Sequence, residues 1–305
     1  AYGATGRDII AQQPVRIGLM DTGVYSGHPE FDAQRLRNVH SEGRFDIAIT
    51  NFLLQGQIKA GDPFSVNGTW DSKDTSPPNG RGHATGSAGV IVARRDGVGT
   101  HGLAFDAELH AARSGEVYEY SDFQASLDNN FREPKEKDPE IFRQSMQALM
   151  REQVKVILGE WQLQPVPNSV KNVLDQVRFK QRNVTLSDQE KADLRQKTKQ
   201  QGYDLGRGQQ YLNFQYEGGK DGKILETMRE AAHQGIVHVV AAGNFTGETP
   251  HIGAALPYYE PQLEQFWISA VAASVFNPQY AAQPLLELYS SRCTVAKYFC
   301  LATEL

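Results

Sequence analysis

Apolar residues along this chain gather in short, nearly continuous runs separated by small or amphipathic stretches. V-R-I-G-L-M climbs through 15–20 and stops at a turn, which predicts a buried strand with Asp21 at its carboxyl end. L-H-A-A-R-S at 109–114, V-K-V-I-L-G at 154–159, I-V-H-V-V-A-A-G-N at 236–244 and W-I-S-A-V-A-A at 267–273 read the same way. Helical patterns lie between them. N-G-R-G-H-A-T-G-S-A-G-V-I-V-A-R at 79–94 opens with glycines and becomes small and apolar, predicting a helix packed very close to its neighbour. A helical stretch near 138–151 carries Pro139 in its first turn, and the amphipathic stretch 223–235 ends at Gly235. Apolar strands alternating with helices predict an α/β fold whose mainly parallel sheet is covered on both faces. Ligand sites of such sheets form at the carboxyl ends of strands, where Asp21 and Asn244 both fall.

Residues 166–222 break this pattern, being polar, charged and poor in large apolar side chains. Ser187 and Glu190 form a capping-box signature for a helix running to about residue 200. The segment is too long for an ordinary connection and reads as a polar helical insertion on the surface of one domain spanning 1–305. It is either a solvated excursion or a lid or docking element.

Charge removes one class of partner. The net charge is −5, so no basic field attracts a nucleic acid. No run of about 18 apolar residues is present, which gives no membrane segment in this chain. The N-terminal A-Y-G-A-T-G-R-D-I-I lacks a charged start and an apolar core, so a signal peptide is expected to be absent or already removed. Cys293 and Cys300, seven positions apart, favour a small disulfide-closed loop in an oxidising compartment; two reduced thiols in a core strand and helix are the alternative. No Cys or His stands close enough in sequence to complete a metal site with them.

The D-T-G at 21–23 suits two kinds of peptidase. An aspartic peptidase needs a second carboxylate on a similar turn, and Asp74-Thr-Ser76 lacks both the glycine and a preceding apolar strand. A serine peptidase needs instead a histidine that is oriented by the carboxylate and takes a proton from the nucleophile. His83, at the start of the small-residue helix, fits; the other seven of the eight histidines lack that setting. Asn244 offers an amide NH₂ at a strand end for a developing oxyanion.

In their order, V-R-I-G-L-M-D-T-G-V, G-R-G-H-A-T-G-S-A-G-V and V-V-A-A-G-N resemble the motifs of subtilisin-like serine peptidases. The likeness covers about 15–115, 152–161 and 223–303. A narrower likeness links 253–273 and the Cys293–Cys300 loop to the passenger domains of Gram-negative autotransporter subtilases. The resemblance implies a three-layer subtilisin-like fold, secretion to the bacterial cell surface, and a protein or peptide substrate. It makes Asp21, His83 and Asn244 catalytic. It places the substrate as an extended strand near Ser114 and Gly115 and near Gly159, Glu160 and Trp161, with Ala242 and Gly243 backing the specificity pocket.

One family motif is missing. No G-T-S-x-A-P stretch follows Cys300, and Ser87, Ser290 and Ser291 do not sit on a turn into a helix where a nucleophile belongs. The expectation is therefore a fold incomplete at its C-terminal part, with the serine beyond Leu305 on the remainder of the peptidase domain, which becomes a partner of this chain. The alternative is a non-catalytic, truncated relative that binds peptides or proteins. No cofactor is expected, and no metal site, because no run of alternating Asp or Asn with a closing acid exists.

Overall fold

The computed structural model describes residues 5–8, 10, 12–45, 49–51, 56–70, 82–114, 139–159, 222–243, 250, 253–273, 290 and 293–304. The insertion expected at 166–222 lies outside them, apart from Gly222. The chain divides into two compact units. One holds 1–160 and 220–237; the other holds 161–219 and 238–305.

The first unit is built on parallel strands. β1 (Arg16–Asp21) is followed by β2 (Val24–Tyr25), β3 (Leu36–Asn38), β4 (His40–Arg44), β5 (Ile49–Asn51), β6 (Gly56–Ile58), β7 (Pro63–Asn67), β8 (Thr69–Trp70), β9 (Glu108–Arg113) and β10 (Val156–Gly159). β10, β1, β9 and β3 lie side by side, all parallel, with β1 in register so that Gly18 sits between Ile157 and His110. The helices are α1 (His83–Val92), α2 (Pro139–Arg151) and α3 (Gly222–His233).

Strand periodicity assigns the two faces of β1. Leu19 packs in one cluster with Leu109, Ala111 and the buried α1 residues Ala84, Ala88 and Val92, with Ile17 against its edge. Gly18 faces the other way, where an added Cβ would lie 3.1 Å from Ile157 and 3.2 Å from Leu149 of α2. That missing side chain lets α2 settle on the sheet, and α2 in turn packs against α3. A helix layer, a sheet layer and a second helix layer result, as the patterning predicts.

α3 ends as Gly235 predicts. Gly235 has φ +76°, its N–H donates to Ala232 O, and the Ile236 N–H donates to Ala231 O. These two bonds and the left-handed glycine form a Schellman cap. The sequence patterning did not predict the antiparallel pairs β4–β7 and β5–β6.

The second unit carries β11 (Val237–Ala241) from His238 on, β12 (Trp267–Ala273) and β13 (Cys300–Glu304), with β12 between the other two and all parallel. β11 stops at Ala241, short of the expected 244. A one-turn helix, α4 (Leu256–Tyr259), runs into a 3₁₀ turn at Pro261–Phe266. The Ser269 hydroxyl donates to Ala254 O, tying that segment to β12. Cys293 and Cys300 are joined, closing a loop that contains the 3₁₀ turn Thr294–Phe299.

Candidate active site

Asp21 is the last residue of β1 and shares the parity of Ile17 and Leu19, so it faces the α1 layer. α1 opens at His83, immediately after Gly82 at φ +93°, a left-handed conformation that favours glycine. The two facts bring the side chains together. The Nδ1 of His83 lies 2.8 Å from Asp21 Oδ2 and 3.0 Å from Oδ1. The burial is lopsided: the Asp21 side chain is 2% exposed and the His83 side chain 54%. A carboxylate out of water thus holds one ring nitrogen, while half the ring faces solvent.

The turn after Asp21 is held from several sides. The Thr22 N–H donates to Asp21 Oδ1. The Tyr25 N–H donates to Thr85 Oγ1 at 3.0 Å, linking the turn to α1 two residues beyond His83. Trp70 stacks on Tyr25 with ring centroids 4.8 Å apart and donates its indole N–H to Gly23 O. Arg113 Nε donates to Thr22 O at 3.1 Å. Gly68 is the tightest part. Its N–H donates to Val39 O and its carbonyl accepts from the Val24 N–H, while an added Cβ would fall 1.6 Å from Ala111 O. The motif reading missed Gly68, Trp70, Thr85 and Arg113. No local pattern around these four residues marks their contacts with the turn.

The remaining sequence-based residues are placed as follows. Ser114 is buried, its N–H donates to Asp21 O at 3.0 Å, and its hydroxyl has no hydrogen-bond partner among the described residues. Gly159 ends β10, in register with Met20 of β1. Ala242 and Gly243 belong to the second unit; the Ala242 N–H donates to Ala270 O at 2.7 Å, and Gly243 has φ +119°. Gly115, Glu160, Trp161, Asn244 and Ser291 lie outside the described residues. Ser87 stands in the middle of α1, half-buried. His110, on β9, takes no part: it is buried, and loss of water pushes its pKa down despite the nearby Glu152 and Glu108 carboxylates. Among the described residues, no group of three or more His, Cys, Asp or Glu side chains is arranged to hold a metal ion, and no helix is long and apolar enough to cross a membrane.

The subtilase family model (Peptidase S8) matches residues 12–302, and the chain belongs to that family. Membership supports a serine protease function. The chain is 25% identical over 309 residues to serotype-specific antigen 1 of Mannheimia haemolytica, an alignment covering 94% of this chain and 29% of the antigen. The chain therefore spans less than a third of that relative's length. Solved structures similar to it include the prenylagaramide maturation protease PagA, at 10% identity and TM-score 0.45, covering 95% of this chain and 62% of that one. A mutant protease domain of PatA is similar at 13% identity and TM-score 0.48, covering 100% of this chain and 70% of that one.

Proposed function

We propose that this subtilase chain is the larger part of a secreted, cell-surface serine endopeptidase, and that Asp21 and His83 are two members of its Asp-His-Ser triad. The observation carrying the reading is the buried Asp21 carboxylate against Nδ1 of a half-exposed His83. With Nδ1–H donating to Asp21, the Nε2 lone pair accepts the proton of a serine hydroxyl as oxygen attacks the peptide carbonyl. The same Nε2–H then protonates the leaving amine. Asp21 stabilises the imidazolium formed between those steps and stays ionised. Asn244 donates its side-chain NH₂ to the oxyanion of the tetrahedral intermediate. The peptide lies extended beside Ser114, just past β9, and Gly159, the last residue of β10. The Ser114 N–H already donates to Asp21 O, which leaves the Ser114 carbonyl as the backbone group for substrate pairing at that residue.

The serine comes from a segment of the peptidase domain that is not among these 305 residues. The free face of α1 supports this. Gly82, Gly86, Gly89 and Val90 share one side of the helix, opposite the buried Ala84, Ala88 and Val92. No described residue comes within 4 Å of a Cβ added at Gly82, Gly86 or Gly89, and Val90 is 64% exposed. Among the described residues, this side, next to His83, has room for a closely packed helix. The Cys293–Cys300 disulfide supports an oxidising, extracellular setting.

A fluorophosphonate probe, which labels activated serines, tests the proposal on the polypeptide extended through the serine segment. Covalent labelling that is lost in His83→Ala is the expected result. A folded extended protein that takes no label and binds peptides without cleaving them overturns it in favour of a non-catalytic relative.

A further inference from the structure

A second surface belongs to the unit that does not hold Asp21 or His83. In the second unit, a groove of about 470 Å³ runs between the α4–3₁₀ segment and the disulfide-closed loop. Pro257 and the buried Phe299 line it, together with Tyr258 and Tyr298. Tyr298 is 79% exposed and Tyr258 47%, two of the three exposed large apolar side chains described in that unit. An aromatic ring held out in water forfeits the burial that usually retains it in a fold. Here both rings border one groove.

Both walls are stiff. Pro257 and Pro261 fix the backbone of one wall. The Cys293–Cys300 bridge closes the other, whose 3₁₀ turn presents Lys297, Tyr298 and Phe299. Rigid aromatic walls lose little entropy when a ligand settles between them.

We propose that this groove is a docking site for an extended, proline-rich peptide segment carrying a basic side chain. A polyproline II ligand has no internal hydrogen bonds, is extended before it binds, and presents flat pyrrolidine rings that pack on tyrosine faces. The rim charges set the sign of the flanking residue. The Lys297 ammonium lies 4.8 Å from the centroid of the Tyr298 ring, so a cation–π contact engages it within the wall. Glu264, also lining the groove, has no ion-pair partner among the described residues. It is the group that meets an arginine or lysine of the peptide. This site goes beyond the peptidase reading and needs neither the triad nor the serine segment.

The test is fluorescence anisotropy of this chain with a fluorescein-labelled proline-rich peptide of about ten residues containing one arginine. Saturable binding is expected. Tyr298→Ala, an exposed change that spares the core, should weaken it about tenfold. Replacing the peptide's prolines by alanine should weaken it as much. Glu264→Gln, and separately glutamate for the peptide's arginine, should each weaken it several-fold, about the value of one charged contact. Absence of saturable binding, equal binding by Tyr298→Ala, equal binding of the alanine peptide, or no effect of the charge changes each overturns the proposal.

Discussion

Acid should destabilise this protein through a residue that takes no part in the proposed chemistry. His238, on β11, is 1% exposed and packs against Trp267 with ring centroids 4.9 Å apart. Its Nε2 has no hydrogen-bond partner among the described residues. Burial pushes its pKa down from 6.5 to about 4, because a cation held away from water loses its hydration. The sign follows from proton counting. Between those two values the unfolded chain binds a proton that the folded chain does not, so stability is full above 6.5 and falls as the pH drops toward 4. The gap between the values corresponds to about 3 kcal/mol in all, of which about 2.5 kcal/mol is lost by about pH 4.5. His238→Phe keeps a ring against Trp267 and removes the titration. Urea unfolding of parent and variant at about pH 7.5 and about pH 4.5, followed by tryptophan fluorescence and circular dichroism, isolates the effect, since every other group titrates alike in both. The variant should lose about 2.5 kcal/mol less than the parent across that interval. Parallel losses would show that His238 is hydrated or already paired, and the burial argument would fail.

Other consequences are more local. Gly68→Ala drives a methyl group into Ala111 O and should cost about 3 kcal/mol or more, read as a lowered urea midpoint. Thr85→Val keeps the shape but removes the acceptor of the Tyr25 N–H; it should cost about 1 kcal/mol in the same assay. Replacing Cys293 and Cys300 by serine opens a loop of seven-residue separation and should cost about 2 kcal/mol, with no change under reducing conditions, where the parent falls to the same level.

Much of the framework was readable from sequence because its central strands are largely buried and so are mostly apolar. The run 15–20 and the run 154–159 pair as neighbours, β1 and β10. The ends of α2 and α3 were marked by Pro139 and Gly235, residues whose backbone limits act locally. The strands between 36 and 70 were not readable. In β4 the fully buried residue is Ser41, and in β7 it is Phe64, so no apolar alternation develops along either. The pairing of Asp21 with His83 was legible only as motif plus parity. Its supports were hidden, because Gly68 and Trp70 meet the D-T-G turn through contacts some 45 residues apart in sequence. No local pattern records a backbone approach such as that of Gly68 to Ala111.

In the proposed mechanism Asp21 fixes the proton of His83 on Nδ1 and leaves Nε2 as the base. Nitrogen-15 NMR of the histidine side chains reads this directly, because a neutral imidazole in water prefers the Nε2–H tautomer. His83 should show the opposite form, Nδ1–H, in neutral solution, reverting toward Nε2–H in Asp21→Ala. An Nε2–H tautomer in the parent, or an Nδ1–H signal unchanged by removing the Asp21 carboxylate, would contradict it.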